Sequence, residues 1–135
     1  SNMNLSSGIA PVRRFLSEGI PTGLGSDMAA GYSTSIFRAM ADAIQCSKMR
    51  WRLVDDTQKP LTVEEAFYLG TKGGGAFCGK VGSFEEGYEF DALILDDSNI
   101  AHPQELTVRD RLERMIYLSD ARHITEKYVS GQKVK

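Results

Sequence analysis

Residues 20–35 have the sequence IPTGLGSDMAAGYSTS, and this stretch decides how the chain is organised because an apolar segment breaks there into glycines before a helix begins. The apolar approach predicts a short strand over about residues 20–26, with Pro21 confined to its start. Asp27 is the one carboxylate in the glycine-rich loop that follows. From its spacing alone, Asp27 is most simply a turn residue or a helix cap, since Asp favours both positions.

Apolar residues at helical spacing predict the helices on either side of this stretch. The predicted helices cover about residues 10–19, 34–53, 62–72 and 107–119. Ser33 or Thr34 is placed to cap the second of them, and Thr62 with Glu65 has the spacing of a capping box in the third. The glycines at 73–75 predict a corner between helices, because no strand precedes them and no Gly-Lys-Ser/Thr follows, as a phosphate loop would require.

The remaining segments, residues 81–97 and 124–134, have β character. The first predicts a hairpin that turns at Glu85-Glu86-Gly87 and continues into an alternating strand at 90–95, and Ser130-Gly131 predicts the turn of a hairpin in the second. The whole order of elements therefore predicts an α/β fold. A buried parallel strand needs neighbours on each side, and the strand at 20–26 has no obvious parallel partner in this sequence, so we expect the segment to be the end of a larger domain.

The composition excludes several classes of function. The chain has 135 residues, with 16 basic and 18 acidic side chains and a net charge of −2. This balance gives no basis for binding nucleic acid or an anionic membrane. No apolar run reaches the roughly 18 residues of a membrane span, and no signal-peptide pattern opens the sequence, so we expect a cytoplasmic protein.

Potential metal ligands are few. Cys46 and Cys78 fall within predicted helices and are expected to be buried thiols. The two histidines, His102 and His123, have no ligand spacing and are expected to be surface or capping residues, whereas a catalytic zinc site takes about three protein ligands. The acidic residues Asp91, Asp96 and Asp97 are expected to be solvated carboxylates near a strand end.

Four blocks of the sequence resemble the C-terminal part of the guanine deaminases, a family within the amidohydrolase superfamily. They are NLSSG (4–8), GIPTGLGSDMAAGYSTSI (19–36), the long block 61–97 and YLSDARHITEKYVSGQKV (117–134). Together they extend over essentially the whole chain. The spaced glycines and Asp-Ala of residues 82–92 are shared widely in the superfamily, whereas GLGSD followed by Ala-Gly-Tyr-Ser is closer to guanine deaminases.

The resemblance implies a distorted (β/α)₈ barrel that carries a small β-sandwich built from both chain termini. Residues 1–79 would be the end of the barrel, with its last strand at about 20–26, and residues 80–135 would be C-terminal sandwich strands with the intervening helix at about 107–119. Asp27 would be both the catalytic carboxylate and a metal ligand. The other metal ligands, the catalytic Glu and the residues that hold the purine are expected upstream of this sequence.

The resemblance further implies that the parent protein hydrolyses guanine to xanthine and ammonia with zinc as cofactor, and that guanine and water are its substrates. The 135 residues alone are expected to be inactive, to hold no zinc tightly and to form a homo-oligomer. Three alternatives remain open: an aminohydrolase for another aminopurine, pyrimidine or triazine; a non-catalytic module that self-associates; and a protein whose missing part is supplied by another chain.

Overall fold

The computed structural model describes all 135 residues, Ser1–Lys135, and has the mixed α/β composition that the sequence predicts. The helices are α1 (Val12–Ser17), α2 (Ile36–Leu53), α3 (Val63–Gly70), α4 (Lys72–Gly75) and α5 (Val108–Leu118), and the strands are β1 (Ala92–Leu95), β2 (Ile124–Val129) and β3 (Gln132–Lys133). Single 3-10 turns lie at Ala76–Cys78 and Ala121–His123. None of the five helices combines the length and the apolar character that a membrane span requires.

The helix ends follow local rules of capping. The capping box predicted at Thr62 and Glu65 is confirmed, with both of its hydrogen bonds present. The predicted cap of α2 was wrong by one or two positions, because the side chain of Ser35, and not of Ser33 or Thr34, accepts the hydrogen bond from the first turn. All three residues are good caps, and the position at which the backbone changes from extended to helical selects among them.

The glycines at 73–75 are helical, so the predicted corner lies at Thr71, between α3 and α4. Glycine is a poor helix former, but this helix touches other backbone too closely for side chains. A Cβ on Gly75 would lie 2.4 Å from the carbonyl oxygen of Val81, and a Cβ on Gly23 would lie 2.5 Å from Cα of Gly74. Close approach of backbones explains why glycines occupy these positions.

The sheet is antiparallel, in the order β1-β2-β3. Its predicted hairpin turn is confirmed at Ser130 and Gly131, whose φ angles of 46° and 78° match the type I′ turn that suits two twisted strands. The hairpin predicted within residues 81–97 was wrong, since only Ala92–Leu95 forms a strand there, and it pairs with β2 from a later part of the chain. A change of register between Ile94 and Leu95 marks the irregular end of that pairing.

The core lies between α2, α3 and α5. Its eight buried residues are Met40, Ala41, Ile44, Leu61, Val63, Ala66, Leu69 and Ile116. Only 11 of the 135 residues are buried, so the core is small for a chain of this length. One face of α2 buries Met40, Ala41 and Ile44, which anchors this helix in the core.

Residues 20–26 form no strand in this structure. Within residues 21–26 the one backbone hydrogen bond is donated by the Leu24 N–H to the carbonyl of Leu69 (3.0 Å). A strand needs a neighbouring strand to satisfy its backbone, and none of β1, β2 or β3 lies beside this segment. The strand predicted at 20–26 is therefore absent from this chain, and its assignment to a barrel stays a prediction.

Candidate functional site

Asp27 lies in an exposed loop immediately after the 20–26 segment. Its backbone is left-handed, with φ of 49°, a conformation that Asp tolerates better than most residues. Its carbonyl accepts hydrogen bonds from the N–H groups of Ala30 (3.0 Å) and Gly31, which turn the chain back on itself. Its carboxylate makes no hydrogen bond or ion pair with another residue of the chain and is therefore free to act on something else.

The loop is tightly folded. Ala29 also has positive φ, 81°, which is unfavourable for a residue with a Cβ. A Cβ on Gly31 would lie 1.9 Å from the carbonyl oxygen of Ser26, so no side chain fits there. Residues 27–31 thus hold a conformation that contacts outside the loop must maintain.

A cavity of about 410 Å³ opens beside Asp27. Its walls come from the N-terminal residues, α1, residues 22–27 and the first turns of α2. Most of the lining is apolar or small, and the charged side chains in it are those of Asp27, Arg38 and Asp42. A cavity of this size with a few polar groups is typical of a site for a small molecule.

Three side chains of this cavity form a hydrogen-bonded cluster. The Tyr32 hydroxyl donates to Asp42 Oδ2 (2.5 Å) and accepts from Arg38 Nε (2.8 Å), while Arg38 Nε lies 3.3 Å from Asp42 Oδ1. The hydrogen bond with Tyr32, reinforced by the charge of Asp42, raises the pKa of the Arg38 guanidinium. The sequence does not predict this cluster: the i,i+4 spacing of Arg38 and Asp42 indicates their ion pair, but no local pattern points to Tyr32.

The donors in this chain do not make a zinc site. No three His, Cys, Asp or Glu side chains come together anywhere in the structure. Zinc is held by about four ligands in tetrahedral geometry, and even a catalytic site supplies three of them from protein. Asp27 is a single carboxylate, so the residues of this chain do not by themselves fit the metal that the sequence resemblance implies.

The other candidate ligands have local roles. His123 accepts a hydrogen bond from the Asp120 N–H (3.1 Å) at Nδ1, which confirms its predicted capping role, and His102 is exposed and contacts the carbonyl of Gln104. Cys46 is half-buried, but Cys78 is exposed, so its predicted burial was wrong. The short 3-10 turn at Ala76–Cys78 faces solvent instead of the core.

The acidic residues at the strand end are also engaged locally. Asp97 forms a two-point ion pair with Arg111 (2.7 and 2.8 Å), which holds the pKa of that carboxyl below its usual range. Asp91 accepts the Ser130 N–H at the hairpin turn (2.8 Å). Asp91 and Asp97 are thus half-buried and engaged by other residues, and only Asp96 is exposed, so the predicted solvated carboxylates are confirmed for Asp96 alone.

Comparison with known proteins gives a consistent assignment over the whole chain. The model of the amidohydrolase family matches residues 1–134. A guanine deaminase from Dictyostelium discoideum is 39% identical over 100% of this chain. A crystal structure of guanine deaminase from C. acetobutylicum with bound guanine superposes on 99% of the chain with a TM-score of 0.93 and 50% identity, and that of E. coli guanine deaminase does so with 0.84 and 25%.

The match extends over only part of each relative. The chain covers 31% of the Dictyostelium protein and 32% of each of the two solved structures. It therefore spans about a third of the length of the proteins it matches.

Proposed function

The chain belongs to the amidohydrolase family, and from this premise we propose that it is the C-terminal third of a guanine deaminase that hydrolyses guanine to xanthine and ammonia. The observation that carries the proposal is the superposition of nearly the whole chain on the C. acetobutylicum enzyme. Guanine and water are then the substrates of the complete protein, and a cytoplasmic location and a homo-oligomeric state belong to the same proposal.

The proposal assigns each part of the chain to a domain. Residues 1–79 correspond to the end of a (β/α)₈ barrel and residues 80–135 to strands of a small β-sandwich with an intervening helix. Support comes from residues 20–26, which belong to no helix or strand of this chain and leave nearly all their backbone groups without partners in it. This is how a barrel strand appears when its neighbouring strands belong to another part of the protein.

Asp27 is proposed as the catalytic carboxylate and a metal ligand of the complete site. It lies at the end of the 20–26 segment, and active sites of barrels are built at the carboxyl ends of their strands. Its exposed, unpartnered carboxylate at the edge of a cavity is free to accept a proton from the attacking water. Zinc in the complete protein is part of the proposal, and this chain offers Asp27 alone as its ligand.

The proposal is tested by assaying xanthine formation from guanine and by measuring bound zinc, with the 135-residue chain and with the full-length protein that contains it. We expect turnover and bound metal in the full-length protein, and no turnover and well under one zinc per chain in the 135 residues. Turnover of guanine by the 135 residues would contradict the assignment of the missing ligands to other segments. Turnover of another aminopurine, pyrimidine or triazine in place of guanine would select a related aminohydrolase.

The role of Asp27 is tested with Asp27→Asn in the full-length protein. Loss of the proton acceptor is expected to lower kcat by about 10²- to 10⁴-fold. Asp56→Asn is the matched control, because Asp56 is also exposed with a carboxylate that makes no hydrogen bond. Wild-type kcat in both variants would show that Asp27 is an ordinary loop residue.

A further inference from the structure

We propose that Tyr32, Arg38 and Asp42 are positioning residues that fix the loop 27–31 and so hold Asp27 at the edge of the cavity. This role rests on the proposed function of Asp27. The three side chains act through the loop and not on the substrate, and we refer to them as the loop clamp.

The loop itself is the first reason for the clamp. Asp27 and Ala29 both have left-handed backbones, and Gly31 approaches the carbonyl oxygen of Ser26 so closely that no Cβ fits. Residues in such conformations persist only where surrounding contacts determine them. Without outside contacts, the loop would relax to commoner backbone angles and carry the Asp27 carboxylate with it.

The loop clamp supplies contacts at the end of the loop. Tyr32 is the residue directly after Gly31, and its hydroxyl reaches Asp42 and Arg38 on the first turns of α2. The Arg38 guanidinium also lies over the Tyr32 ring, 5.7 Å from its centre. The hydroxyl therefore has both a donor and an acceptor partner, which leaves it one preferred orientation.

The helix that carries the clamp cannot move easily. Met40 and Ile44, on either side of Asp42 in sequence, are each 2% exposed and lie in the core. The Asp42 side chain is only 16% exposed, whereas that of Arg38 is 52% exposed. Asp42 is thus the fixed point of the cluster, and Tyr32 transmits its position to the loop.

A second contact holds the loop from the other side. The Asn4 side chain donates from Nδ2 to the carbonyl of Ala30 (2.8 Å). Ala30 lies between the two constrained residues Ala29 and Gly31. The loop is thereby held from the N-terminal segment as well as from α2, as expected if its conformation matters.

The test uses Tyr32→Phe in the full-length protein, which removes the hydroxyl and keeps the ring. We expect kcat for guanine to fall about 10- to 100-fold, because a small displacement of a reacting group has effects of this size. KM is expected to change little, because in this proposal the loop clamp acts on the position of Asp27 and not on substrate binding. Amide hydrogen exchange of a peptide spanning residues 26–33 is expected to become faster in parallel.

The controls separate positioning from general destabilisation. Tyr68→Phe is the matched control, because Tyr68 is comparably exposed, 48% against 52%, and its hydroxyl makes no hydrogen bond. Asp42→Asn keeps an oxygen that accepts the Tyr32 hydroxyl and should retain most of kcat, whereas Asp42→Ala should behave like Tyr32→Phe.

Each remaining outcome decides the proposal. Wild-type kcat and wild-type exchange in Tyr32→Phe would overturn it, and a raised KM with unchanged kcat would do so as well, because Tyr32 would then act on substrate binding. Absence of guanine turnover in the unsubstituted full-length protein would instead reject the proposed function. The exchange rates of residues 26–33 would still show whether the loop clamp holds the loop.

Discussion

At the scale of single residues, one ion pair joins three separate parts of the chain. Arg13 on α1 makes a two-point contact with the Glu65 carboxylate, at 2.5 Å for each pair of atoms, and also donates to the carbonyls of Lys59 and Pro60. Glu65 at the same time accepts the Thr62 N–H as part of the capping box of α3. The hydrogen bond from Arg13 is the main reason that the pKa of Glu65 lies below its ordinary value of 4.5.

We therefore expect Glu65→Gln to lower the free energy of unfolding of the 135-residue chain by about 1–2 kcal/mol near neutral pH, the range of a partly shielded charge-assisted hydrogen bond. A carboxyl with a depressed folded pKa contributes stability that is present above its unfolded pKa, near 4.5, and is lost as pH falls through the lower folded value. The difference between wild type and variant should accordingly shrink below about pH 4. Urea unfolding of both proteins at pH 7 and below pH 4 measures this difference in the free energy of unfolding.

Glu18→Gln is the control for this ion pair. Glu18 pairs with Arg14 at i,i+4, but both side chains are largely exposed, and pairs of this kind contribute little. No measurable change is expected for Glu18→Gln at either pH. Equal losses in the two variants, or a loss at Glu65 that is independent of pH, would contradict the role given to the Arg13–Glu65 pair.

At the scale of elements, most features set by neighbouring residues were predictable, with the cap of α2 at Ser35 as an exception, and features set by distant contacts were not. The capping box at Thr62 and the hairpin turn at Ser130 depend on a few adjacent residues, so the sequence alone predicts them. The glycines at 73–75 are required by close contacts with distant backbone, which the local sequence does not show. Tyr32 likewise meets Asp42 only because the loop folds back along α2, which no local pattern indicates.

The contact of residues 22–24 with the glycines of α4 gives a prediction at this scale. A Cβ at position 23 would meet Cα of Gly74 at 2.5 Å, and backbone atoms cannot move aside as a flexible side chain does. Gly23→Ala should therefore lower the free energy of unfolding by about 1–3 kcal/mol, as overpacking usually does. Thermal or urea unfolding of the 135-residue chain would show the effect.

Gly25→Ala is the matched control for this packing contact. No atom lies within 4 Å of a Cβ at position 25, and the backbone there is not left-handed. This variant should be neutral or slightly more stable, since Ala restricts the unfolded chain. A loss at Gly25 as large as the loss at Gly23 would mean that flexibility of the segment, and not close contact with α4, selects both glycines.

At the scale of the whole molecule, the chain leaves much of its apolar surface uncovered. Exposed residues include Leu53 at 70%, Phe77 at 68% and Phe84 at 77%, against a core of eight residues. The solved structures that the chain matches are about three times as long. Uncovered apolar surface beside unpaired backbone favours association with other chains, which is the physical basis for the homo-oligomer expected from the sequence.

The groove beside residues 20–25 is the surface where we expect the isolated chain to associate. Phe77 lines this groove with Phe15 and Ile20, next to the backbone groups that lack partners. Sedimentation velocity at increasing concentration should show a reversible dimer or larger assembly. Phe77→Ser should weaken the association at least about tenfold, because a buried Phe side chain contributes about 1.5–3 kcal/mol.

Phe84→Ser is the matched control for the groove, because Phe84 is comparably exposed, 77% against 68%, but lies against Phe90 near the sheet, with ring centres 5.8 Å apart. It should leave the association constant unchanged if residues 20–25 form the contact. Equal weakening by both substitutions would indicate non-specific association through exposed apolar surface in general. A monomer at every concentration would contradict the prediction, because the unpaired backbone groups would then be hydrogen-bonded to water and the apolar groove would stay exposed.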